Sequence, residues 1–81
     1  MTEQTMTATE SALAAIWAEV LGIETVAPDD NFFALGGSSL KAMQVVTRTR
    51  RDLGQQRFGL ADMFKATSLR EIAESLDGVG G

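Results

Sequence analysis

Apolar residues recur every three or four positions in separate stretches of this 81-residue chain, and nowhere do they alternate with period two. Leu13, Ile16, Trp17, Val20 and Leu21 make one such stripe. Ala42, Val45, Val46, Thr49 and Leu53 make a second, and Leu69, Ile72, Ala73 and Leu76 a third. An α-helix turns about 100° per residue, so each set lies along a single face that needs covering, whereas a half-buried strand requires alternation. Periodicity thus restricts the chain to packed helices.

Local signals set the boundaries. Thr7-x-x-Glu10 is a capping box, and Gly22 supplies a left-handed stop, which predicts helix I over roughly residues 8–21. Helix II runs from about Ser39 to Asp52, with Gly54 closing it. Leu60, Met63 and Phe64 predict a short helix III of one or two turns. A second capping box, Ser68-x-x-Glu71, opens helix IV over roughly 69–76. The expectation is an all-α, four-helix bundle of three longer helices and one short one. Residues 1–6 are polar and 78–81 are glycine-rich, so both ends are expected to be flexible tails outside a domain spanning 7–77.

Composition then removes several kinds of chemistry. The chain has no cysteine and no histidine, which leaves no disulfide framework and no ordinary zinc site. Its net charge is −4, whereas a nucleic-acid-binding domain is normally basic, so no nucleic-acid partner is expected. No apolar run approaches the ~20 residues of a membrane span, and no signal peptide opens the chain, so the expected location is the cytoplasm. Four cations, Lys41, Arg48, Arg50 and Arg51, fall between Ser38 and Arg51 without an acid among them. They read as a solvated face or a docking surface for protein.

Residues 22–38 form a long connection, which in a small domain usually carries function. Ile23, Val26, Phe32, Phe33 and Leu35 can pin it to the core, and Ala27-Pro28-Asp29-Asp30 has turn chemistry. It ends in Gly36-Gly37-Ser38-Ser39, with both glycines free to take positive φ and turn the chain into helix II. Either serine suits the N-cap. Nothing in the chain would activate a serine nucleophile: there is no histidine, and Lys41 lies two residues from Ser39, on another side of the helix. The chain is therefore not expected to be an enzyme. A helix start does favour an anion, including one attached covalently to a serine, by about 0.3–1 kcal/mol.

The longer pattern Asp30-Asn31-Phe32-Phe33-x-Leu35-Gly36-Gly37-x-Ser39-Leu40 resembles the signature of carrier domains, in particular the peptidyl carrier (thiolation) domains of nonribosomal peptide synthetases within the phosphopantetheine-binding acyl carrier superfamily. Trp17-x-x-Val20-Leu21-Gly22, Arg48-x-Arg50, and Met63-Phe64 followed by Ser68-Leu69 and Ile72-Ala73 extend the resemblance over most of the chain. The resemblance implies a right-handed bundle whose serine directly before the leucine, here Ser39, receives 4′-phosphopantetheine from coenzyme A. The thiol of that arm then carries an amino acid or peptide as a thioester. It also implies as partners a phosphopantetheinyl transferase, an adenylation enzyme, and condensation, tailoring or thioesterase enzymes, with the carrier a monomer. Fatty-acid carriers surround their serine with acids, unlike Lys41, Arg48, Arg50 and Arg51 here, which favours the peptidyl type. The alternative is an acyl or aryl carrier of a polyketide or hybrid pathway. Ser38 stands where the family usually has Asp or His, and Ala66-Thr67 where a proline often precedes helix IV. Met1 and the two tails point to a free-standing carrier, although an excised module with an added start would read the same.

Ser39, Leu40, Met43, Thr47 and Arg50 cluster on a second face of helix II. Leu40 and Met43 either pack under the long connection or form a contact patch for partners. The expected contact set is Ser38, Leu40, Met43, Thr47 and Met63, with Phe64 assigned to the core.

Overall fold

The computed structural model describes residues 6–66 and 68–78, and among them the fold is entirely helical. Helices α1 (Ala8–Leu21), α2 (Ser39–Leu53), α3 (Leu60–Lys65) and α4 (Leu69–Leu76) match the expected order and lengths. Helix α1 packs on α2 and α4, and α3 leans on α2. Apart from Met6 and Gly78, the two expected tails lie outside the described residues. Met6 itself is half-buried against the core, so packing begins before the first cap and not after it.

Each boundary has a local cause. The Thr7 hydroxyl accepts from the Glu10 amide at 3.0 Å, and the Glu10 carboxylate accepts from the Thr7 amide at 2.9 Å. At the other end Gly22 takes φ 73° and donates to the Ala18 carbonyl, a left-handed stop that costs glycine little. Helix α4 starts on the Ser68 hydroxyl, which accepts from the Glu71 amide at 3.2 Å. Two more first-turn amides of α4 are used at longer range: Leu69 donates to the Asp30 carbonyl at 3.0 Å and Arg70 to the Pro28 carbonyl at 2.9 Å. Helix starts leave such donors unpaired, so these bonds lock the turn at Pro28–Asp30 onto the bundle.

The long connection is held by its apolar side chains. Val26 and Phe32 join Leu13, Ile16, Trp17, Ala42, Val45, Val46, Phe58, Met63, Leu69, Ile72 and Ala73 in one buried cluster. The Phe32 ring meets Trp17 edge-on, with centroids 5.1 Å apart. Burying one phenylalanine contributes roughly 1.5–3 kcal/mol, enough to offset the ordering of one or two loop residues. The Asn31 side chain accepts from the Phe33 and Ala34 amides, which starts a single tight turn over 32–36.

Most of the cations late in α2 serve the fold. Arg48 reaches Glu19 on α1 at 2.6 Å and Asp52 one turn on at 3.8 Å, while Arg50 donates to the Phe58 carbonyl at 2.6 Å across the α2–α3 connection. Arg51 donates to Asp52 and holds that carboxyl below the usual carboxylate range. Arg48 and Arg50 thus tie α2 to neighbouring segments, while Arg50 and Arg51 stay exposed to solvent.

Candidate functional site

The site is built where the loop turns into α2, and its two glycines differ in purpose. Gly36 takes φ 101°, a conformation in which other residues are strained. Gly37 is not at positive φ; it is required by space. A Cβ there would overlap the Cε2 and Cδ2 atoms of the Phe32 ring and lie 2.8 Å from the Phe32 carbonyl oxygen. The Gly37 amide donates to that carbonyl at 3.1 Å. The expectation of two flexible glycines thus becomes one conformational glycine and one close approach, and the second fixes the chain against the core two residues before Ser39.

The adjacent serines separate cleanly. Ser38 is extended (φ −122°, ψ 173°) and its hydroxyl accepts from the Lys41 amide at 3.2 Å, so Ser38 is the N-cap. Its carbonyl accepts from the Ala42 amide at 2.8 Å. Ser39 is the first residue of the helix and is exposed. Among the described residues, nothing hydrogen-bonds its hydroxyl. The first turn of α2 contains no acid. The amides of Ser39 and Leu40 precede the intrahelical ladder, and the positive end of the helix dipole faces the same point. This donor set suits a phosphodiester on the Ser39 oxygen: a free hydroxyl to bear it, unpaired N–H groups beside it, and no carboxylate to repel it.

Beyond the serine, α2 turns an apolar strip outward. Leu40 is 72% exposed and Met43 42%, so neither packs under the long connection. With Gln44, Thr47 and Arg48, and with Glu19 and Val20 from the end of α1, they line an open groove of about 450 Å³. The structure thus brings Leu40, Met43 and Thr47 together as expected. Sequence reasoning missed the α1 wall, because Val20 lies in the apolar stripe of its own helix and reads as core.

Met63 and Phe64 exchange their expected places. Met63 is 1% exposed, inside the core, and cannot meet a partner. Phe64 is 55% exposed and stacks on Phe33, with centroids 5.0 Å apart and ring planes 7° from parallel. Adjacent helical residues point ~100° apart, and the six-residue α3 is too short for its own periodicity to say which of the two turns inward.

A fold of this kind with a cap-freed serine at the start of its second helix defines a carrier domain, and comparison with known proteins makes the class specific. The phosphopantetheine attachment site family matches residues 11–76. The chain is 41% identical over 69 residues to gramicidin S synthase 2 of Brevibacillus brevis, covering 85% of this chain and 2% of that protein. It is 38% identical over 71 residues to surfactin synthase subunit 2 of Bacillus subtilis (strain 168), covering 88% and 2%. The chain therefore spans a small part of the curated relatives it matches. Among solved structures it is similar to a peptidyl carrier protein bound to the phosphopantetheine transferase Sfp and coenzyme A, at 33% identity and TM-score 0.83, covering 95% of this chain and 99% of that one. It is also similar to the solution structure of a prototype peptidyl carrier domain of modular peptide synthetases, at 34% identity and TM-score 0.79, covering 94% and 99%. The chain belongs to the phosphopantetheine attachment site family and, within it, to the peptidyl carrier domains. The prosthetic group of that family is 4′-phosphopantetheine, held covalently.

Proposed function

We propose that residues 7–77 form a non-catalytic peptidyl carrier domain in which Ser39 is the acceptor of 4′-phosphopantetheine. The observation that carries this reading is the division of labour between the serines: Ser38 is committed to the helix cap, while the Ser39 hydroxyl is exposed and unbonded at the helix start. In the transfer, the Ser39 oxygen attacks the pantetheine-side phosphorus of coenzyme A. A new P–O bond forms, the bond to the adenosine bisphosphate half breaks, and the serine proton leaves to a base supplied by the transferase. No histidine in the chain competes for that proton. The loaded thiol then carries an aminoacyl or peptidyl group as a thioester in nonribosomal peptide assembly.

The partners in this reading are a phosphopantetheinyl transferase, an adenylation enzyme, and condensation, tailoring or thioesterase enzymes. Leu40, Met43 and Thr47 are their contact surface, because two large apolar side chains are left in water one turn or less from the acceptor. Ser38, expected in the contact set, serves here as the cap beside that surface, and Phe64 replaces Met63. The same reading has the domain working as a monomer in the cytoplasm. No helix among the described residues is long and apolar enough to cross a membrane.

The test is direct. Incubation with coenzyme A and a broad-specificity phosphopantetheinyl transferase is expected to raise the mass by one phosphopantetheine, and Ser39→Ala to abolish the gain. No gain in the wild-type chain, or a gain that persists in Ser39→Ala, would refute the assignment.

A further inference from the structure

We infer that Ser38 is a positioning residue for the modification: by capping α2 it fixes the helix register that keeps the Ser39 hydroxyl out of the helix's own hydrogen bonding. The inference rests on Ser39 being the acceptor. Two adjacent serines compete for one N-cap, since the cap hydroxyl bonds the amide three residues on. With Ser38 as cap, that amide is Lys41, and the observed separation is 3.2 Å. A helix that began one residue later would place Ser39 at the cap, and its hydroxyl would then take the Ala42 amide. That amide is now held by the Ser38 carbonyl at 2.8 Å. An oxygen accepting a cap bond is oriented back along the helix, and the bond must break before it can reach phosphorus.

The chain on the N-terminal side cannot absorb such a slip. Gly37 is seated against the Phe32 ring and donates to the Phe32 carbonyl at 3.1 Å, and Phe32 is itself buried against Trp17. The freedom left is confined to residues 38–41, where the only difference between the two registers is which serine caps. Removing the Ser38 hydroxyl shifts this balance toward the unproductive register by roughly a fivefold change in the ratio of the two, the usual effect of one lost cap.

Because the carrier is the substrate of the transferase, a loss of competent register appears as a higher apparent KM for the carrier with kcat retained. The experiment measures both constants for the wild-type chain, Ser38→Ala and Ser38→Asn, and follows the Lys41 and Ala42 amides by NMR hydrogen exchange. In the wild-type chain the Lys41 amide is expected to be protected beyond the Ser39 and Leu40 amides. In Ser38→Ala that protection is lost and KM rises by a factor between one and about five, because KM scales with the competent fraction and not with the register ratio. Ser38→Asn, a neutral cap as good as serine, restores both. An unprotected Lys41 amide in the wild-type chain overturns the inference without any variant. So does an unchanged KM in Ser38→Ala, or an asparagine variant as slow as the alanine one, which would mark Ser38 as a direct contact for the transferase. Persistence of the mass gain in Ser39→Ala would instead remove the acceptor assignment beneath it.

Discussion

Gly37→Ala tests how strongly the core dictates the position of the acceptor. The added methyl would sit inside contact distance of two Phe32 ring carbons and 2.8 Å from the Phe32 carbonyl oxygen. The ring cannot swing outward freely, because Phe32 is buried and meets Trp17 on one side and Phe33 on the other. The carbonyl is backbone and has no rotamer to escape into. Overpacking of this kind costs about 1–3 kcal/mol, and two obstructions, one of them immovable, put the cost near the top of that range. The lower chain entropy of unfolded alanine returns about 0.4–1 kcal/mol, which leaves a net loss of about 2 kcal/mol. For a domain of this size that is a fall in Tm of roughly 8–16 °C. Thermal unfolding followed by near-ultraviolet circular dichroism reads both the stability and the Trp17 environment. Shortening the obstruction with Phe32→Leu in the same chain should recover at least ~1 kcal/mol relative to the sum of the single changes, a coupling expected only of residues in contact. Gly36→Ala is the control: it meets open space and is strained only by φ 101°, so its cost should add independently of Phe32. A Gly37→Ala chain within ~0.5 kcal/mol of wild type, or one whose loss is fully additive with Phe32→Leu, would refute the close-approach argument.

The exchange of Met63 and Phe64 predicts opposite ranks of damage in one short helix. Met63→Ala should lose about 2–5 kcal/mol in urea unfolding as a buried large-to-small change, while Phe64→Ala loses only its stack on Phe33, about 0.5–1.5 kcal/mol; the reverse order would place Met63 at the surface after all. On the outer strip, Leu40→Ala and Met43→Ala should leave Tm within about 2–4 °C of wild type, yet each should lower kcat/KM for phosphopantetheine loading by roughly fivefold or more. A fall in Tm with unchanged loading would return these side chains to a structural role.

Much of the bundle follows from information within four residues of each position. Thr7 with Glu10, Gly22, Gly54 and Ser68 define helix ends through their own hydroxyls, carboxylates and left-handed glycines, and such signals act whatever lies across the core. For the same reason the inward face of α2, Ala42, Val45, Val46 and Thr49, is legible from spacing alone. The proposed acceptor is also marked in the chain itself, since Ser39 stands in a long fixed pattern ending in Leu40.

What the fold alone decided depends on residues far apart in the chain. Gly36 and Gly37 look equivalent until Phe32 is seated on Trp17 and leaves no room for a side chain at Gly37. Arg48 reads as part of a basic face until α1 brings Glu19 to within 2.6 Å of it. Helix α3, with six residues, has too little periodicity to set its own phase, so the bundle chose Met63 for the core and left Phe64 against Phe33. The sequence by itself determined which segments are helical and which hydroxyls are at issue, because caps and periodicity are local. Tertiary structure decided which of two neighbours faces inward and which of two serines remains free, because those choices are made by side chains that meet only after the helices pack.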